Sequence, residues 1–246
     1  MAADQHSPLA QFEIKRLLPM EIGGIDVSIT NSSIFMVVAV ALITLFLTAS
    51  VRSRAIVPGR WQSLAELAYE FVANMLRENV GSEGRKYFPF VFTLFIFILF
   101  CNLIGMVPYT FTVTSHIIVT FAMAAAVFLG VTVIGIVKNG TGFLKLFVPS
   151  GVPMALLPLL VVIEVISYLT RPVSLAVRLF ANMMAGHTML KVFGGFVVSL
   201  GVIGGWAPLA FIVALTGLEI GIAFLQAYVF TILTCIYLND ALHPGH

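Results

Sequence analysis

Between Tyr87 and Val137 the chain carries no Asp, Glu, Lys or Arg, and that restricts the fold severely. A soluble domain keeps charged residues on its wet face, and a stretch this long without them has no wet face. Lipid offers the backbone no hydrogen-bond partner, so a chain crossing it must close its own bonds, which long apolar runs do as helices. About 20 such residues, at about 1.5 Å each, cross the roughly 30 Å hydrocarbon layer. Pro108 and the polar run TVTSH divide the stretch into two spans, 88–107 and 117–137. The rest of the chain agrees, with 60% hydrophobic and 10% charged residues over 246 positions and a mean hydropathy of +1.06. The expected fold is an all-α polytopic membrane protein, a single integral domain.

Residues 34–51 form a further uncharged span, preceded by the cap-forming run Thr30, Asn31, Ser32 and Ser33. Residues 1–33 ahead of it hold scattered charges and no apolar core, so they read as an external N-terminal segment, not a cleaved signal. Segment 61–80 places Leu64, Leu67, Phe71, Val72, Met75 and Leu76 on one helical face and Glu66, Glu70, Arg77 and Glu78 on the other, as an interfacial amphipathic helix does. Two long apolar stretches follow, 154–191 and 208–238, with the glycine-rich tract GGFVVSLGVIGG between them. As one helix, the first would reach on the order of 55 Å. It must therefore tilt steeply, break or emerge, and Pro158 and Pro172 are places to bend. About five membrane helices result.

Lys and Arg cluster after the first span (Arg52, Arg54, Arg60, Arg77, Arg85, Lys86) and after the third (Lys138, Lys145). Those loops are expected in the cytoplasm, with the N-terminus outside and the C-terminus inside. A net charge of +2 without a basic block gives no support to nucleic-acid binding. Cys101 and Cys235 lie in apolar runs and indicate neither a disulfide framework nor a thiolate metal site.

Within the two long stretches the ionisable residues are Glu164, Arg171, Arg178, His187, Lys191 and Glu219, joined by Asn182 and Gln226. A guanidinium stays charged, and placing one at a helix centre in lipid costs at least roughly 2.5–3.5 kcal/mol. Steps of seven turn a helix by only about −20°, so Glu164, Arg171 and Arg178 form one stripe with Asn182 beside it, while His187 falls on the opposite face. Glu219 and Gln226 share a stripe on the last helix. Quieter readings exist for some of these. Glu164 and Arg171 could neutralise each other or mark a membrane boundary, Lys191 could snorkel, His187 could be an interhelical hydrogen-bonder, and Asn102 reads as packing glue.

The runs RPVSLAVRLFANMMAGH and GLEIGIAFLQAYVFTILTCIYLND resemble the signature region of the a subunits of rotary F-type ATP synthases, and NLIGMVPYTFTVTSH is similar to that family's earlier membrane motif. The resemblance implies a stationary proton channel with two half-channels serving a rotating ring. By it, Arg178 falls on the family's essential arginine, Asn182 on its polar neighbour, and Gln226 on the glutamine facing the arginine from the last helix. His187 and Glu219 take positions where many bacterial members carry the acid and the imidazole the other way round, an arrangement similar to mitochondrial relatives. Glu164 joins the proton-translocation set. The implied partners are a ring of small hairpin c subunits, b-type subunits of a peripheral stalk, membrane lipids and, indirectly, the soluble catalytic head. The implied location is a bacterial inner membrane, with the mitochondrial inner membrane as alternative. No cofactor, metal or catalytic residue is expected.

Two rival classes find less support in the sequence. A secondary transporter could clamp an anionic substrate through Arg178, but no second half repeats the first and no paired broken helices are present. An intramembrane enzyme would need a nucleophile or metal motif, and no HExxH or GxSxG occurs.

Overall fold

The structure, a computed structural model, describes residues 12–19, 21–22, 25–26, 28–52, 58–107, 110–148 and 156–243. The expected turn at Pro108, the first residues of the 154–191 stretch, Arg54 and the end of the C-terminal tail lie outside them. Four short strands come first, β1 (Arg16–Leu18), β2 (Glu21–Ile22), β3 (Ile25–Asp26) and β4 (Ile29–Thr30). Six helices follow, α1 (Asn31–Arg52), α2 (Arg60–Val80), α3 (Phe88–Gly105), α4 (Ile117–Asn139), α5 (Leu157–Gly204) and α6 (Trp206–Leu242). Five of them are long and apolar enough to cross a membrane, and α2 is the amphipathic exception. The described residues fall into two compact units, one drawn from Met1–Ile56, Ile96–His116 and Leu179–Ala227, the other from Val57–Phe95, Ile117–Arg178 and Tyr228–His246.

In the first unit, β1 and β4 pair antiparallel, as do β2 and β3. The Thr30 hydroxyl accepts from the Ser33 backbone N–H at 3.3 Å, capping α1 where the sequence predicts a cap. Asn31 ties the strands to that helix. Its side chain donates to the Glu13 carbonyl at 3.1 Å and accepts from the Lys15 N–H at 3.2 Å. Ring pairs Phe35–Phe111 and Phe46–Phe100 pack α1 against the chain around the end of α3, and Phe193–Phe211 joins α5 to α6.

Beyond the 154–191 stretch, α5 continues through the glycine-rich tract to Gly204. Glycine costs a helix about 1 kcal/mol relative to alanine, yet backbone groups in an apolar setting have no partner outside the helix, so the ladder persists. It breaks only at Gly201, where φ is +59°, and the Gly205 N–H closes the turn on the Gly201 carbonyl at 2.9 Å.

In the second unit α2 buries Val72, Met75, Leu76 and Val80. Phe71 stacks against Phe95 and Tyr228, and Tyr69 against Phe88. Tyr168 sits among Phe128, Phe143 and Phe147 and shares a 2.6 Å hydrogen bond with the Thr132 hydroxyl. Lys138 pairs with Glu83, and Asn139 donates to the Ala241 carbonyl at 2.6 Å. Pro172 lies inside α5 without ending it.

Candidate functional site

A helix leaves its last carbonyls without intrahelical partners, and α3 ends at Gly105. The Gly105 carbonyl receives His187 Nε2 at 2.9 Å, while His187 Nδ1 lies 2.8 Å from Glu219 Oε1. His187 is 8% and Glu219 4% exposed, so α3, α5 and α6 enclose an imidazole–carboxyl pair almost out of solvent. Glu219 Oε2 is buried without a hydrogen-bond partner among the described residues.

Asn102 sits one turn before Gly105, fully buried. Its amide donates to the Ala223 carbonyl at 3.2 Å and its carbonyl accepts from the Thr114 hydroxyl at 2.8 Å. Ala223 is one turn beyond Glu219, so Asn102 fixes α3 to α6 beside the pair, the gluing role read from the sequence. The Thr112 hydroxyl, 3.3 Å from the Gly105 carbonyl, closes the end of α3. Gly186 leaves the carboxyl its room, because a Cβ there would lie 3.0 Å from Glu219 Cδ and closer still to Oε1.

Arg178 is exposed on α5, and among the described residues no acidic side chain pairs with it. Asn182, one turn on, is half-buried, and Gln226 is buried on α6. Glu164 is half-buried near the start of α5 and does not neutralise Arg171. Arg171 instead bonds Asp240 Oδ2 at 2.8 Å, with its guanidinium 5.3 Å from the Tyr168 ring and 4.8 Å from that of Tyr237. That quartet half-buries Arg171, whose side chain stays 17% exposed, between α5 and α6. Lys191 is exposed, as a snorkelling lysine would be.

Sequence reasoning missed Asp240, Gly105, Thr112 and Gly186. Asp240 could have been found, since it lies sixty-nine residues from Arg171 at the close of an apolar helix. The Gly105 contact uses a backbone oxygen and leaves no trace in residue type. No group of three or more His, Cys, Asp or Glu among the described residues is placed to hold a metal.

On helices long and apolar enough to cross a membrane, the chain matches one family over most of its length. Residues 33–239 fit the family described as ATP synthase A chain. The chain belongs to that family. Proteins called ATP synthase subunit a are its relatives in bacteria: that of Pelagibacter ubique is 61% identical over 98% of this chain and 99% of its own, and that of Paramagnetospirillum magneticum 63% identical over 96% and 98%. The Chelativorans protein is 62% identical across the full length of both. Membership in the ATP synthase A chain family agrees with the all-α, multi-pass architecture.

Proposed function

We infer that this chain is the proton-channel subunit of an F-type ATP synthase, non-catalytic in itself and embedded in a bacterial membrane. The exposed Arg178, with no acidic partner among the described residues, supports the reading most directly. A permanent cation exposed on a helix long and apolar enough to cross a membrane needs an anion that the described residues do not supply, because lipid offers none at mid-depth, whereas Arg171 has Asp240.

In this reading Arg178 meets carboxylates carried by a ring of small c subunits. At 4 Å and an effective dielectric near 20, two opposite charges attract by about 4 kcal/mol, enough to hold an arriving carboxylate ionised while its proton leaves. The same cation bars a direct leak between the two half-channels. Asn182 and Gln226 serve the proton route as neutral hydrogen-bonders. His187 and Glu219 line one access route, and Glu164 another. The membrane potential contributes about 2.3 kcal/mol per proton per 100 mV. The b-type stalk subunits hold the channel stationary, and the basic loops support an N-terminus outside and a C-terminus in the cytoplasm.

Replacing Arg178 with alanine in the complete synthase tests this. Proton-driven ATP synthesis in reconstituted vesicles should be abolished while the complex still assembles. Normal synthesis in that variant would overturn the assignment.

A further inference from the structure

The hydrogen bonds around His187 determine where its protons sit. A carbonyl has none to give, so the 2.9 Å contact with Gly105 requires a proton on Nε2. The 2.8 Å contact from Nδ1 to Glu219 Oε1 requires one more proton between those two atoms, since an imidazole lone pair facing a bare carboxylate would be repelled. With Nε2 protonated and one proton shared across Nδ1 and Oε1, three of the pair's four heteroatoms are committed. Among the described residues only Glu219 Oε2 of these four atoms finds no partner, and it is buried.

Resting on the proton-channel reading, we propose that the Gly105 carbonyl makes His187 a dead end for protons rather than a wire, so that protons arrive at and leave from Glu219 Oε2 alone. A histidine relays by taking a proton at one nitrogen and releasing another from the second. The second nitrogen here points at an oxygen that cannot carry a proton onward. The balanced step is therefore on the carboxyl. A proton from the access route bonds to Oε2, the shared proton shifts to Nδ1, and the O–H bond at Oε2 then breaks as its proton passes to the next acceptor. His187 keeps its Nε2 proton throughout and offsets the carboxylate charge between transfers. Gly105, Thr112 and Asn102 are positioning residues: the first anchors the ring, the second closes over that carbonyl, and the third holds α3 against α6.

The test is nitrogen-15 NMR of the whole synthase in lipid vesicles with labelled histidine, the His187 signal being assigned by its loss in His187→Gln. If that variant does not assemble, a synthase in which this chain alone carries the label, with His6, His116, His243 and His246 replaced one at a time, assigns the signal by elimination. The expected spectrum shows Nε2 protonated and Nδ1 strongly hydrogen-bonded. An unprotonated Nε2 would overturn the proposal. Proton conduction supplies the second readout. Glu219→Gln should lower it by on the order of 10²-fold or more, the span typical of a lost proton-transfer group, and an assembled His187→Gln by clearly less. Equal losses would put the imidazole in the path and sink the dead end while leaving the channel standing. Undiminished conduction in Glu219→Gln would instead remove the channel reading itself.

Discussion

Glu219 reaches His187 only because residue 186 has no side chain. Adding one methyl group at Gly186 would drive a Cβ into the carboxyl group, and misplacing a reacting group by about 1 Å can cost on the order of 10²-fold in rate. Gly186→Ala is therefore expected to lower proton conduction by about that factor. Gly221→Ala, on α6 with nothing within 4 Å of its would-be Cβ, should leave it near the parent value. A comparable loss in both would mean that the effect is general helix disturbance. At this scale the sequence was partly legible. Arg178, His187 and Glu219 stand out because charge in apolar sequence is conspicuous, and the structure pairs the last two. Gly186 and Gly105 stayed hidden because one acts through missing volume and the other through its backbone.

Among the elements, α5 and α6 do most of the positioning, and the Arg171 quartet fixes their relation within the second unit. Asp240 is the one acid bonded to Arg171 among the described residues, and a hydrogen bond to a charged group is worth about 1.5–3 kcal/mol when partly buried. Asp240→Ala should cost stability on that scale, seen as a lowered unfolding temperature of the purified complex. Arg171→Lys should lose part of it too, since an ammonium neither forks onto a carboxylate nor stacks between two rings. An unchanged transition in both would reduce the quartet to a surface contact. Helix spans were readable because hydrophobic length translates directly into membrane crossing. The path of α5 was not, since glycine content argues for a loop while an apolar environment argues for unbroken hydrogen bonds, and the second effect won until Gly201.

For the whole molecule the open question is how it sits in the bilayer and what touches it. Its two native cysteines, Cys101 and Cys235, are buried, so introduced ones report with little background. Ser28→Cys should react with a membrane-impermeant thiol reagent from outside the cell, and Gln62→Cys only after the cytoplasmic face is opened. The reverse pattern would invert the proposed orientation. Chemical crosslinking from the exposed face of α5 around Arg178 should capture a small hairpin subunit bearing a mid-membrane carboxylate, and capture of none would count against a rotating ring as the anion's source. The proposed orientation rests on Lys and Arg placement alone. Contacts between copies of different subunits were not, because exposed apolar side chains look alike whether lipid or protein covers them.

The anchor for the imidazole is a main-chain oxygen, and every amino acid has one. No codon change at position 105 deletes it. A genetic scan would record only a size limit there, set by Thr112 with its hydroxyl 2.8 Å from where a Cβ would stand. The interaction that fixes the tautomer is thus invisible to side-chain replacement and accessible only to methods that observe hydrogens or move the end of a helix.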